Sequence, residues 1–184
     1  MSADPHDRSQ AIRLSDELLE EIHNCRSRDD WPDWLRPSTM DSRVVSNVSE
    51  EVGRYAVASN PISRDDVVVR TNGTLITRPH RWSIQIDEEL HVTGPDTINH
   101  VCAEPNLVVE PETKNFVARR DISEGEEITI NYLTFEYEMS CPFQCRCGQS
   151  GCCGRIQGFT YLCPEKQQQI LLDLPVLPHL RRFM

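Results

Sequence analysis

Three cysteines inside a stretch of eight residues constrain this chain more than any other feature. Cys145, Cys147 and Cys152 follow the spacing C-x-C-x4-C, and Gly148, Gly151 and Gly154 supply the tight turns that bring three thiolates together. Zinc takes four ligands in a tetrahedron, so three clustered thiolates leave one corner to a more distant group. Cys102 is the best candidate for that corner; Cys141 and Cys153, nearer in sequence, stay open as alternatives. The competing reading is disulfides or free thiols. Disulfides need an oxidising compartment, and no signal-peptide pattern is seen at Met1, so the expected setting is intracellular, cytoplasmic or nuclear.

The formal net charge of −10 argues against a surface for nucleic acid and fits a basic partner better. No apolar run reaches the roughly 20 residues that a membrane-spanning helix needs, so no membrane partner is expected.

The middle of the chain is a series of short apolar runs with turn signals about every 8–12 residues, a compact β pattern. Residues 44–69 read as strand, turn, strand, with Ile62 and Val67-Val68-Val69 flanking the polar turn at residues 63–66 as a hairpin or meander. Trp82, Ile84 and Ile86 alternate with Ser83, Gln85 and Asp87, which predicts a half-buried strand. Leu90-His91-Val92 reads as another; His91 is a weak candidate base and otherwise a solvated side chain. Residues 107–109 and 116–118 predict a hairpin about the turn at residues 111–115.

Four motifs in a fixed order carry a resemblance. They are Asn99-His100-Val101-Cys102 with Pro105-Asn106, then Gly125-Glu126-Glu127-Ile128-Thr129 leading to Tyr132, then Cys145-x-Cys147-Gly148, then Cys152-x-Gly154-x-Ile156. Together they resemble the C-terminal half of a SET domain with its post-SET zinc loop, over residues 48–159. The resemblance implies a mainly β fold with short helices: small sheets around a pseudoknot, a zinc-binding post-SET loop and a C-terminal helix. It divides the chain into an extension with a short helix (1–43), a SET-like core (44–140), the post-SET loop (141–159) and a helical tail (160–184).

The resemblance also implies chemistry. SET proteins are mostly S-adenosylmethionine-dependent protein lysine methyltransferases, so S-adenosylmethionine and zinc are the expected cofactors. A lysine-bearing protein is the expected acceptor, and a small amine or free amino acid is the alternative. The matching catalytic residue is Tyr132. Arg54, Tyr55, Asn99, His100 and Phe135 match cofactor-binding positions, with Tyr55 standing where a second glycine is usual. Ile130, Tyr137 and Trp82 are expected along the substrate channel. Ile130 replaces a usual aromatic and leaves room for more than one methyl group, and Asn131 stands where Asp is common. In SET proteins the insert between the N- and C-terminal motifs builds one wall of the peptide cleft, and residues 74–96 are short for that job. A third possibility is a non-catalytic SET module that binds a partner through its acidic surface.

The flanks are simpler. Residues 1–13 are polar and expected to fray. Ser15 is a candidate N-cap for a short helix ending near Cys25, with Leu18, Leu19 and Ile22 on one face. Trp31 and Trp34 are expected to pin the following loop to the core. Pro164 suits the first turn of a tail helix whose apolar side is Ile170, Leu171 and Leu174, ended by Pro175 and Pro178. That tail is expected to pack on the post-SET loop.

Overall fold

A computed structural model describes residues 6–24 and 31–183. Among the described residues, thirteen short strands form five small sheets, accompanied by two α-helices. β2 (Val44–Ser49) and β3 (Gly53–Ala58) form an antiparallel hairpin. β1 (Thr39–Met40), β4 (Val67–Arg70), β10 (Phe116–Ala118) and β9 (Leu107–Val109) form a four-stranded sheet in that order. β5 (Leu75–Ile76), β7 (His91–Thr93) and β6 (Ser83–Gln85) form a three-stranded one. β8 (Asn99–His100) pairs in parallel with β11 (Thr129–Ile130), and β12 (Phe143–Gln144) pairs with β13 (Arg155–Ile156).

No sheet is large enough to bury a core alone, so the sheets share one. Ala56, Val68, Ile84, Val92, Leu107 and Phe116 come from different sheets and meet in the largest apolar cluster. Gly73 is what lets the sheets close. A Cβ there falls 2.2 Å from the Thr93 carbonyl oxygen and 2.8 Å from Ser38 N. In its absence Ser38 N–H donates to Thr93 O at 2.7 Å, and Thr74 N–H to Arg36 O at 2.8 Å. Gly73→Ala is therefore expected to cost about 3 kcal/mol, because the clash is with backbone rather than a movable side chain. The check is a lowered urea midpoint with an unchanged m-value.

The helical N-terminus follows its sequence. Ser15 Oγ accepts from Leu18 N–H at 3.2 Å and caps α1 (Asp16–Asn24), with Asp16 and Glu17 in the first turn. Leu19 and Ile22 are buried with Leu14, Trp31, Leu35 and Ile76. The predicted helix end at Cys25 lies outside the described residues.

Several expectations need correction. Residues 6–13 are tied down rather than frayed: Ile12 N–H donates to Leu75 O at 2.8 Å and Thr77 N–H to Ile12 O at 3.1 Å. Trp31 is buried, but Trp34 is 42% exposed and is held through its carbonyl, which accepts from Thr74 Oγ1 at 2.9 Å, rather than through a buried ring. Ile62 bridges to Ile122 while β4 pairs with β1 and β10, so the turn at residues 63–66 closes no hairpin. His91 is buried at the start of β7, not solvated. Gln85 is also buried, so β6 is not half-polar. Its amide makes this tolerable by bonding Tyr137 N–H and the carbonyls of Asp87 and Glu88.

At the other end, Pro164 opens α2 (Pro164–Asp173). Ile170 and Leu174 are buried, Leu171 packs beside them, and Leu172 faces solvent. Ile170, Val176 and Leu180 join Cys102, Cys145, Ile156 and Phe159 in a second apolar cluster, so the tail closes over the cysteine loop. Leu177 N–H also donates to Thr134 O at 2.9 Å, beside Tyr132.

Candidate functional site

The cysteine centre is built by two crossings of the chain. Gly148 (φ 68°) and Gly154 (φ 71°) adopt the left-handed turns that fold the loop back on itself; Gly151 does not need one. The sulfurs of Cys102, Cys145, Cys147 and Cys152 all lie within 4.8 Å of one another. A tetrahedron with Zn–S of 2.3 Å has sulfurs about 3.8 Å apart. Cys102 Sγ stands 3.7 Å from Cys145 Sγ and 3.9 Å from Cys152 Sγ, so the four thiolates fit zinc. Cys141 and Cys153 are outside the group. Between Cys102 and Pro105 the chain turns through a left-handed Glu104 (φ 47°). Backbone N–H groups of Cys147, Cys153 and Gly154 point at Cys145, Cys102 and Cys152 sulfurs at 3.2–3.4 Å and would stabilise thiolates.

One residue away from Cys102, His100 joins this centre to Tyr132. Its Nδ1 accepts from Tyr132 N–H at 3.1 Å, and its Nε2 lies 3.2 Å from Cys102 Sγ. An acceptor at Nδ1 puts the proton on Nε2, where it donates to the sulfur. Burial holds this imidazole neutral. Asn131 is buried too: its Nδ2 donates to Cys102 O at 2.9 Å and its Oδ1 accepts from Leu133 N–H at 3.0 Å. The first bond needs a donor, which a carboxylate would not supply.

Tyr132 sits where three sheets meet. Its hydroxyl donates to Ile98 O at 2.5 Å. Its ring packs among His100, Phe135 and Phe143, with centroids 5.3, 5.8 and 6.1 Å away. Burial raises the phenol well above its ordinary range, so it stays protonated. In front of it is a cavity of about 70 Å³, with walls that include Trp82, Ile84, Phe116, Ile130 and Phe135. Two carboxyl groups also line it, Asp96 and Glu136. Asp96, with a side chain 1% exposed, pairs with Arg54 Nε at 3.0 Å.

The expected cofactor residues are brought partly together. Asn99 Nδ2 donates to Arg54 O and to Glu127 Oε1, both at 3.3 Å, across 45 and 28 residues of sequence. On β3 the buried Ala56 and Ala58 alternate with Tyr55 and Val57, so Arg54 shares the inward face and Tyr55 the opposite one.

Comparison with known proteins agrees with this geometry. The family model described as SET domain matches residues 49–133. The matched segment, a little under half of the chain, is similar to a SET domain. A curated relative, "Methyltransferase flvH" of Aspergillus flavus, is 39% identical over 62 residues, covering 33% of this chain and 34% of its own. Among solved structures, KRYPTONITE in complex with mCHH DNA, H3(1-15) peptide and SAH is 19% identical with a TM-score of 0.51, covering 64% of this chain and 29% of that one. The methyltransferase domain of human Histone-lysine N-methyltransferase SETMAR is 16% identical with a TM-score of 0.50, covering 65% of this chain and 59% of that one. The chain thus spans less than two thirds of each of these relatives. The small sheets, the parallel β8–β11 pair and the cysteine loop are the SET fold with a post-SET loop.

Within that SET frame, Ile130 and Trp82 line the Tyr132 cavity, but Tyr137 does not. Tyr137 instead packs with the cysteine cluster, and its phenol oxygen accepts from Thr160 Oγ1 at 3.2 Å. Phe135 is a cavity wall, its ring centroid 5.2 Å from that of Phe116. Sequence reasoning missed Phe143, Asp96 and Glu136. Phe143 carried no signal, because its partner Tyr132 is reached only through the folded loop. The two acids read as ordinary surface charges in the chain.

Proposed function

We propose that this SET domain transfers a methyl group from S-adenosylmethionine to an amine nitrogen, with a protein lysine side chain as acceptor. The observation that carries the reading is the Tyr132 hydroxyl, fixed by the Ile98 carbonyl at a cavity walled by Trp82, Ile84, Phe116, Ile130 and Phe135. S-adenosylmethionine supplies an electrophilic methyl on a sulfonium. The amine lone pair forms the N–C bond as the C–S bond breaks, and the thioether leaves with the electron pair.

The protein's part is alignment and desolvation, which contribute roughly 7–11 kcal/mol in favourable cases. A lysine ammonium has an ordinary pKa of roughly 10.4, and apolar walls disfavour its charged form. Arg54, Tyr55, Asn99 and His100 are the proposed cofactor contacts, Tyr132 the residue that orients amine and methyl, and Ile130, Trp82 and Phe135 the channel. The structural neighbours support the reading: KRYPTONITE was solved with SAH and a histone peptide, and SETMAR is named a histone-lysine N-methyltransferase.

A second acceptor class is compatible with the same cavity. The Tyr132 cavity is small, about 70 Å³. A small free amine fits this as well as a lysine does. Both acceptors use the same chemistry.

The test is calorimetric titration of zinc-loaded protein with S-adenosylmethionine, beside Tyr132→Phe. Micromolar binding by both proteins is expected, with at least a 100-fold lower kcat for Tyr132→Phe, since the bond to Ile98 O is lost while the pocket stays filled. No binding by folded, zinc-replete protein would sink the methyltransferase reading and leave a partner-binding SET module. Turnover of free lysine compared with a lysine-bearing protein separates the two acceptor classes.

A further inference from the structure

The cavity beside Tyr132 holds a carboxyl group that methyl transfer, as described so far, does not use. Glu136 lies one helical turn after Tyr132, and its N–H donates to Tyr132 O at 2.9 Å. The residue is 5% exposed. Its Oε1 accepts from Gln85 N–H on β6 at 3.1 Å, and among the described residues no Lys, Arg or His forms an ion pair with it. The surrounding walls, Ile84, Phe116, Ile130, Phe135 and Met139, are apolar. A buried carboxyl with one neutral hydrogen bond and no cation is expensive to keep. An apolar sleeve with an acid inside it is what an alkylammonium ion needs: the stem packs on the walls and the head meets the acid.

Building on the methyltransferase reading, we propose that Glu136 receives the ammonium head of the acceptor and takes its proton, leaving a neutral amine facing Tyr132. The step balances. An N–H bond of the ammonium breaks, its proton joins a Glu136 carboxylate oxygen, and the electron pair stays on nitrogen for attack on the methyl group. After transfer the proton leaves to solvent.

The charged and titratable groups around the cavity are consistent with this role. Asp96 is already neutralised by Arg54, Arg81 stacks over Trp82 at 4.9 Å, His80 lies on the same wall, and Tyr132 keeps its proton. Burial raises Glu136 to about 8. The empty site therefore carries the proton at neutral pH, and an arriving ammonium must displace one. The complex holds one proton fewer than its separate partners, whichever atom keeps the remaining one.

The test is calorimetric titration with n-butylamine, a lysine side-chain mimic, from pH 6 to 9, for the wild type and Glu136→Gln, without cofactor. Gln keeps the acceptor for Gln85 N–H, so the fold is retained, as thermal melts check. The wild type is expected to bind more tightly as pH rises to about 8 and then level, and to exceed E136Q at least tenfold at pH 8. The variant is expected to show no break near pH 8. Equal affinities, the same break in both proteins, or no binding by the wild type overturns the proposal. S-adenosylmethionine titrated into the same samples keeps the two readings apart. Amine binding without cofactor binding removes the methyltransferase reading and leaves the cation site. Cofactor binding by both proteins with no effect of E136Q on the amine removes the role of Glu136 and leaves the enzyme.

Discussion

Stripping zinc is expected to unfold the C-terminal part of this SET domain and to disorder Tyr132 with it. Structural zinc sites contribute about 10–16 kcal/mol in small model systems, as much as the whole stability of a typical domain. Here the four thiolates are not an appendage. Cys102 and Cys145 share an apolar cluster with Leu133, Ile156, Phe159, Ile170, Val176 and Leu180, so losing the metal removes the centre of that cluster. It also frees Cys102, which His100 ties to the backbone of Tyr132. One zinc per chain is expected by colorimetric release. A melting temperature at least 10 °C lower is expected after chelation or in Cys145→Ser. Cys141→Ser and Cys153→Ser are expected to keep both metal and melting temperature, because neither sulfur belongs to the four-thiolate group. Full stability without bound metal would overturn the assignment.

The metal and the cavity are thus one construction. Phe143, on the strand that leads into Cys145, packs 6.1 Å from the Tyr132 ring and 5.9 Å from His100. The Met139 N–H bond to Gln157 O and the Phe159 N–H bond to Glu136 O hold the loop against the segment that follows Tyr132. Zinc held by Cys102, Cys145, Cys147 and Cys152 would order this wall of the site.

Most of this was legible where chemistry restricts residue type. Thiolate spacing pointed to the metal, and the Asn99-His100 and Tyr132 motifs pointed to the strands that pair in parallel. Turn residues around Lys114 marked the β9–β10 hairpin. The readings that failed depended on contacts distant in sequence. Gln85 looked outward in a two-residue alternation, yet it is buried because Tyr137 needs its oxygen. Tyr137 looked like a channel residue because it follows Phe135 by two, but the intervening chain turns it toward the cysteine loop. His91 looked solvated because nothing local shows that β5 and β6 flank it. Glu136 was invisible, since a glutamate between two aromatics carries no mark of burial.

Glu136→Gln is expected to make the protein more stable, and more so as pH rises. In the unfolded chain this carboxyl titrates near its ordinary value of 4.5, whereas in the folded chain burial holds it near 8. Between those values the unfolded state sheds the proton and the native state keeps it. Rising pH therefore favours unfolding by about 1.4 kcal/mol per unit from this group alone. The loss begins above about pH 4.5 and is complete by about pH 8, with a total on the order of 3–5 kcal/mol. Glutamine has no such slope. Denaturant midpoints for the two proteins are expected to lie close together at pH 4.5 and to diverge steadily up to pH 8, with E136Q the more stable. Parallel profiles would mean that the carboxyl is solvated and titrates normally. Divergence together with weaker amine binding would mark a side chain that lowers stability at the pH where it serves the site, the kind of conflict expected where a cavity is built for a charged ligand rather than for the fold.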